Sequence, residues 1–123
     1  MSCLFCPPKD PIVAENSDAV AIRDAHPVAP GHSLVIPRRH VEDVMALSSG
    51  ELAACFELVR DVVERLRQAY SPDGFNVGVN IGKAAGQTVG HAHIHVIPRS
   101  VGDVPDPRGG VRGVIPGKRR YQS

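Results

Sequence analysis

Residues 91–97 read His-Ala-His-Ile-His-Val-Ile, so three histidines alternate with small or apolar residues. Along a β-strand, successive side chains point to opposite faces of the sheet. We therefore predict a strand that carries His91, His93 and His95 on one face, with neighbouring rings roughly 7 Å apart. The residues between them would face a core, so this strand would combine a reactive face with a structural one.

A row of imidazoles suits two kinds of chemistry. Imidazoles at positions i and i+2 of a strand can bind one zinc ion together with a ligand from another strand. Alternatively, a neutral imidazole attacks phosphorus through one ring nitrogen, provided that the other nitrogen keeps its proton and donates it to an acceptor. A third interpretation is that the histidines only decorate an exposed strand.

The residues just before the histidines favour transfer at phosphorus. Asn80, a glycine-rich loop at 81–86, Gln87 and Thr88 precede the row. Backbone amides in a glycine-rich turn approach an anion closely. Phosphoryl and nucleotidyl transfer depend on positioning and charge neutralisation, which amides, hydroxyls and imidazoles supply without Mg²⁺. A purely catalytic metal site has no need of these neighbours.

Length and composition limit the class of protein. The chain has 123 residues, enough for one domain with a real core but not for two. Its net charge of +1 argues against binding of long nucleic acid. No apolar run approaches the ~20 residues of a membrane span, and the first residues do not resemble a signal peptide. We therefore expect a cytoplasmic protein with neither membrane nor long nucleic acid as a partner.

The rest of the sequence predicts short strands and one long helix. Turn residues, prolines and glycines separate strands at 12–15, 19–23, 32–37 and 75–80, a short helical turn at 41–47, and a helix from about Gly50 to Tyr70. Ser48 is the expected N-cap of this helix. Its apolar stripe should pack on a sheet. The predicted stripe consists of Leu52, Cys55, Phe56, Val59, Val62, Val63 and Leu66.

Two of the three cysteines form a C-x-x-C, Cys3 to Cys6, just before two prolines. In a reducing compartment this pattern suggests a metal site or a redox pair over a structural disulfide. We rank zinc binding first, no function second and redox chemistry third. A closed zinc site needs two further ligands from elsewhere. Cys55 belongs to the helix stripe and is expected to be a buried structural thiol.

The composition changes after Arg99. Residues 101–123 hold glycines, prolines and five basic side chains against two acidic ones. This favours a flexible tail over an arm that lies across a polyphosphate site or onto another subunit. His26, which precedes Pro27, is expected in a surface loop.

Residues 91–97 resemble the histidine triad signature, His-φ-His-φ-His-φ-φ, of the histidine triad (HIT) superfamily. The segments 30–37, 80–86 and 86–89 also resemble blocks of this family in the same order. The resemblance implies an α+β HIT domain over residues 1–100, with an antiparallel sheet of about five strands, one long helix and a short one. It further implies a homodimer whose sheets join across the two-fold axis, and it leaves 101–123 as a basic tail.

The resemblance also implies an activity: binding of a purine nucleotide and cleavage at its α-phosphate through a nucleotidyl-histidine intermediate. His93 matches the family nucleophile. His95 would contact the phosphate and assist the leaving group, while His91 and His32 would orient or polarise the nucleophile. No cofactor is required for this catalysis.

The nucleotide-binding residues that the resemblance implies fall into three groups. Asp24 matches a ribose-binding position. Phosphate and bridging-oxygen contacts fall on Asn80, Gln87 and Thr88. The base pocket is expected at Ile22, Leu4 and Phe5.

Residues 86–99, with Gly102-Asp103 after them, resemble the fragile-histidine-triad branch, which hydrolyses diadenosine polyphosphates. Alternatives are an adenosine 5′-phosphoramidate hydrolase and a nucleotide-binding regulatory protein with slow turnover. Some members of the superfamily bind a structural zinc ion through an N-terminal C-x-x-C and two histidines. The matching residues here are Cys3, Cys6, His40 and His91.

Overall fold

A computed structural model describes residues 3–120 of the chain. Five antiparallel strands form one sheet in the order β1-β2-β3-β5-β4, and one long helix packs on it. The predicted α+β architecture is therefore confirmed. The elements are β1 (Ile12–Glu15), β2 (Ala19–Arg23), β3 (Ser33–Pro37), α1 (Ser49–Tyr70), β4 (Gly74–Val79) and β5 (Ile94–Arg99).

Side chains alternate along each strand, so the two faces of the sheet carry different residues. Each face is covered by a different part of the chain. On the helix side, α1 packs on a cluster that includes Ala19, Ala21, Val35, Ile94 and Val96. On the other side, Phe5 from the N-terminal segment, residues 3–10, packs in a second cluster with Val20, Ile22, Leu34 and Ile36. His95 pairs with Leu34 in β3 and with Gly78 in β4, so its ring lies on this second face. The helix is thus kept away from the histidines.

The helix begins one residue before the prediction and is capped as expected. Ser48 accepts a hydrogen bond from the Glu51 backbone N–H, and the Glu51 side chain accepts one from the Ser48 N–H. The predicted stripe was wrong at Phe56, which is 51% exposed, and it omitted Leu58, which is buried. The face that meets the sheet is rotated toward Leu58, which leaves Phe56 on its flank. Cys55 is buried, and burial raises the pKa of its thiol to about 11, as suits a structural thiol.

The predicted histidine strand was too long. β5 begins at Ile94, so only His95 lies within the strand, while His91 and His93 precede it outside any strand. The cause is a change of partner, since the Ala92 N–H donates to the Val41 carbonyl rather than to a strand of the sheet. The alternation nevertheless persists, because Ala92 is buried in the helix-side cluster. The rings of His93 and His95 are closer than predicted, with centroids 5.1 Å apart.

Smaller differences concern element ends and the tail. The helical turn predicted at 41–47 shrinks to a 3₁₀ turn at Val44–Ala46. Where the sequence favoured a flexible tail, the structure folds 106–120 into a loop with a 3₁₀ turn at Gly110–Val114. Ion pairs from Asp106 to Arg108, Arg119 and Arg120 close this loop. Within residues 3–120, no helix is both long and apolar enough to cross a lipid bilayer.

Gly31 lies in the turn that places His32 at the start of β3. Its backbone has φ +87°, a conformation that residues with a side chain rarely adopt. A Cβ atom there would lie 2.8 Å from Leu66 Cδ2 and 3.0 Å from the Tyr70 ring. The loop before β3 therefore packs directly on the end of α1, with no room for a side chain.

We expect Gly31→Ala to lower the free energy of unfolding by roughly 1–3 kcal/mol, because it combines a disfavoured φ with a steric clash. Gly50→Ala is the matched control, since its Cβ would meet no atom closer than the Ser48 Oγ at 4.0 Å. Urea denaturation of both variants measures the difference. Equal stability of Gly31→Ala and Gly50→Ala would contradict the packing described here.

Candidate active site and metal site

Four histidines meet on the face of the sheet opposite α1. His32 stands at the entry to β3, His91 and His93 lie in the segment before β5, and His95 lies within β5. His32, His91 and His93 are buried, and His95 is half-buried. Each ring is held by a different partner, and these partners give the four residues different chemistry.

The ring of His93 presents a free lone pair. Its Nδ1 lies 2.9 Å from the His91 carbonyl oxygen. A carbonyl only accepts hydrogen bonds, so Nδ1 carries the proton and Nε2 keeps an unshared electron pair. The Phe5 ring packs edge-on against His93, with centroids 5.3 Å apart. His93 is therefore oriented and, when neutral, has the tautomer that a nucleophilic imidazole requires.

His32 and His95 form a hydrogen-bond chain in which each neutral ring carries its proton on Nε2, whereas His93 carries it on Nδ1. The Val28 N–H donates to His32 Nδ1 at 3.1 Å, so the proton of neutral His32 is on Nε2. That Nε2 lies 3.0 Å from His95 Nδ1, to which it donates, and 3.4 Å from Asp24 Oδ2. The proton of neutral His95 is consequently on its own Nε2. His95 therefore presents a hydrogen-bond donor on a ring whose centroid lies 5.1 Å from that of His93.

Burial keeps these rings neutral. It lowers the pKa of His32, His91 and His95 below their ordinary value of about 6.5, since desolvation disfavours the imidazolium form. The Asp24 carboxylate opposes this effect at His32 and His95 but is the weaker influence. Neutral rings are what the hydrogen-bond chain from Val28 to His95 requires, because each ring must both donate and accept.

Four side chains converge at the N-terminus in the arrangement of a metal site: Cys3, Cys6, His40 and His91. His91 Nδ1 lies 3.3 and 3.1 Å from the two Sγ atoms, and His40 Nδ1 lies 3.4 and 3.1 Å from them. The two Nδ1 atoms are 3.1 Å apart. Two cysteine sulfurs and two imidazole nitrogens at such separations match a closed tetrahedral zinc site, to which cysteines bind as thiolates.

The tautomer of His91 supports this metal site. Its Nε2 lies 2.7 Å from the Pro37 carbonyl oxygen, to which it donates. Nδ1 therefore has a lone pair aimed at the cysteines, and the Pro37 carbonyl orients the ring from behind, as is usual for histidine ligands of metals.

A second cluster has similar spacing but different protonation. Asp24, His32 and His95 place their ligand atoms within 4.8 Å of one another. His32 Nδ1 accepts from the Val28 N–H, so its Nε2 carries a proton and has no lone pair for a metal. The two clusters thus differ in a way that residue types alone do not reveal.

A cavity of about 420 Å³ lies between the N-terminal segment and the histidine face, and we call it the nucleotide cavity. It brings together most of the residues predicted to bind a nucleotide. Its apolar lining includes Leu4, Phe5, Ile22 and Leu34, and its polar lining includes Asp24, Asn80, Thr88, His93 and His95. An apolar end beside a polar, histidine-rich end suits a base joined to a phosphate.

Gln87 lies outside the lining of the nucleotide cavity. Its Oε1 accepts from the Gly82 N–H at 2.9 Å, and its Nε2 donates to the Glu42 and Val89 carbonyls at 2.8 and 3.0 Å. These bonds use both of its amide hydrogens. In this state Gln87 braces the glycine-rich loop.

Sequence reasoning missed the backbone groups that set the site. The Val28 N–H orients His32, the Pro37 carbonyl orients His91, and the His26 N–H donates to Asp24 Oδ1 at 2.9 Å. Every residue type carries these backbone atoms, so no sequence pattern marks them.

Comparison with known proteins places the chain in a family. The model of the HIT domain matches residues 8–102. A HIT-like protein of Mycoplasma genitalium is 38% identical over 106 residues, which cover 80% of this chain and 73% of that protein. The asymmetrical bis(5′-nucleosyl)-tetraphosphatase of Schizosaccharomyces pombe is 40% identical over 85 residues, covering 69% of this chain and 47% of the enzyme.

A solved structure extends the likeness to the fold. The zinc-bound histidine triad family protein from Mycobacterium smegmatis is 35% identical, with a TM-score of 0.75, and the match covers 86% of this chain and 85% of that one. The family model, the relatives and the fold agree with one another. The chain therefore belongs to the HIT family, which includes nucleotide hydrolases and transferases.

Proposed function

We propose that this protein cleaves dinucleoside polyphosphates, such as diadenosine tetraphosphate or triphosphate, at the α-phosphate through a nucleotidyl intermediate on His93. One observation carries the proposal. The bare Nε2 of His93 and the protonated Nε2 of neutral His95 belong to side chains that line the same cavity. That cavity also has an apolar end for a base, at Phe5 and Ile22.

The reaction has two steps. In the first, His93 Nε2 attacks the α-phosphorus, a P–N bond forms, and the P–O bond to the leaving polyphosphate breaks. The His93 ring becomes positively charged, which strengthens its Nδ1–H bond to the His91 carbonyl. In the second step, water attacks the phosphorus, one of its protons leaves to solvent, and the electron pair of the P–N bond returns to His93. The products are a nucleoside monophosphate and the second nucleotide.

The protonation state of the His95 ring supports polyphosphates as leaving groups. A phosphate group is largely ionised near neutral pH, so a polyphosphate departs as an anion. An amine, in contrast, must gain a proton as it leaves. The Nε2–H of a neutral imidazole donates a hydrogen bond to an anion, but it is a poor acid. A neutral His95 that donates from Nε2 therefore suits a polyphosphate leaving group.

We expect His93→Ala to reduce kcat/KM for diadenosine tetraphosphate on the order of 10³-fold or more, because the attacking atom is lost. Binding of AMP should survive, since Phe5, Ile22 and Asp24 remain. Steady-state kinetics and titration calorimetry measure the two quantities. Undiminished turnover in this variant would refute His93 as the nucleophile.

The same assays decide among the alternatives. A higher kcat/KM for adenosine 5′-phosphoramidate than for diadenosine tetraphosphate would favour the phosphoramidate hydrolase. Turnover of every nucleotide far below the typical ~10 s⁻¹ would favour a nucleotide-binding regulatory protein.

We further propose that Cys3, Cys6, His40 and His91 hold a structural zinc ion. When bound, it would tie the N-terminal segment to the sheet. That segment carries Phe5, which packs against His93 and lines the nucleotide cavity. The zinc-bound relative and the lone pair of His91 Nδ1 support this assignment. The ion takes no part in the chemical steps.

Protein purified without a histidine tag should contain about one zinc ion per chain, as measured by elemental analysis. Cys6→Ser should lose it and lower the Tm by ~5 °C or more, because the ligands would no longer tie the N-terminal segment down. The control is Cys55→Ala, which should retain zinc even if its cavity lowers stability. Wild-type protein without stoichiometric zinc would contradict the assignment.

We also propose a homodimer that forms through the edge of β4. Within residues 3–120, β4 and β1 are the two edges of the sheet. β1 has four residues and a bulge, which protects an edge, whereas β4 has six residues in regular register. A regular edge strand of this length is suited to pairing with a second copy. The division into a HIT domain at 1–100 and a tail at 101–123 belongs to the same proposal.

Light scattering after gel filtration should give twice the 13.1 kDa mass of one chain. The Tm should also rise with protein concentration, since association stabilises the folded state by mass action. A monomer mass at micromolar concentration, with a constant Tm, would contradict the dimer.

A further inference from the structure

A second cavity adjoins the nucleotide cavity. It has a volume of about 600 Å³, and we call it the tail cavity. Both cavities are lined by Asn80 and His95, whereas His93 lines only the nucleotide cavity. A molecule that reaches His93 in one cavity could therefore extend past His95 into the other.

The loop at 106–120, which we call the tail loop, forms one wall of this cavity through Gly110, Val111, Gly113 and Val114. These residues lie beyond the part of the chain that matches the HIT domain, which ends at 102. The loop has a defined shape, because Arg119 Nη1 donates to the Asp106 carbonyl at 2.6 Å. A Cβ atom on Gly109 would clash with the Arg119 carbonyl oxygen, so the two ends of the loop touch.

The opposite wall has space because of Gly78. This residue pairs with His95 across the β4–β5 ladder, and both face the tail cavity. A Cβ atom at Gly78 would meet nothing within 4 Å. A larger residue at this position would therefore fill the cavity beside His95 without a clash in the strand.

The lining of the tail cavity is uncharged and largely apolar. Val28, Val111 and Val114 stand at it with 72%, 65% and 73% of their surface exposed, and Ile97 is partly buried beside them. Its lining contains no Lys, Arg, Asp or Glu among the described residues. A phosphate chain would find no counter-charge there, whereas a flat, uncharged ring would cover these side chains.

We infer that the tail cavity binds the second nucleoside of the substrate, the one that leaves with the polyphosphate. The inference rests on the proposed function, and it makes the tail a determinant of specificity for dinucleotides. The phosphates would run past Asn80 and His95, and the base would lie against Val111 and Val114. The volume falls within the ~300–1,000 Å³ of small-ligand sites.

Gly78→Val tests the inference, with Gly74→Val as its matched control. Both glycines lie on the same face of β4 and have open space at Cβ, but only Gly78 lines the tail cavity. Calorimetry gives the Kd of AMP and of diadenosine tetraphosphate, with His93→Ala introduced to prevent turnover. We expect Gly78→Val to weaken dinucleotide binding about tenfold or more and to change AMP binding less than about twofold. Gly74→Val should change neither.

Three outcomes would overturn the inference. One is unchanged dinucleotide binding in Gly78→Val. Another is an equal loss of AMP binding, which would mean that the nucleotide cavity itself is damaged. A changed oligomeric state with unchanged Kd values would mean that a segment of a second copy, not the substrate, fills the cavity.

A second variant keeps the test independent of the strand. Val114→Asp alters an exposed tip of the tail loop and should weaken dinucleotide binding but not AMP binding, because it places a charge beside the base. Equal affinities in Val114→Asp and its parent would again count against the inference. Since both tests measure binding, failure of the proposed hydrolysis would appear separately, as absent turnover of diadenosine tetraphosphate in the wild-type protein.

Discussion

His91 connects the parts of this molecule on which the site depends. Its ring donates to the Pro37 carbonyl at the end of β3, its Nδ1 faces the two cysteines, and its backbone carbonyl accepts a hydrogen bond from His93 Nδ1. One buried residue therefore links the central sheet, the N-terminal segment and His93. Displacing it would release the orientation of His93 and the anchor of the segment that carries Phe5.

Backbone atoms determine which ring nitrogen carries the proton in histidines that are otherwise of the same type. A carbonyl behind His91 and another behind His93 place the proton on the nitrogen that faces the carbonyl, which leaves a lone pair on the opposite side of the ring. The N–H of Val28 has the reverse effect on His32. The first arrangement suits a metal ligand or a nucleophile, and the second suits a chain of hydrogen bonds that ends in a donor.

The sequence predicted the elements well where the signal is local. The N-cap at Ser48, the turn before β2 and the alternation of Ala92, Ile94 and Val96 with the histidines depend on neighbouring residues, and they are present in the structure. The errors fall where a distant partner decides. Phe56 is exposed because of how α1 lies on the sheet, and β5 starts late because Ala92 bonds to Val41. The Gln87 side chain donates a hydrogen bond to the Glu42 carbonyl, a contact that its neighbours in the sequence do not indicate.

By itself, the sequence determined the chemical groups that are available: three alternating histidines, a C-x-x-C and a glycine-rich loop, in an order that marks the HIT family. Only the tertiary structure decided which nitrogen of His32, His91 and His93 carries the proton, because the backbone groups that set these tautomers are marked by no sequence pattern. It also decided that the tail folds into a loop and forms a cavity with β4 and β5. No periodicity in residues 101–120 could indicate this, since the cavity exists only where two distant segments meet.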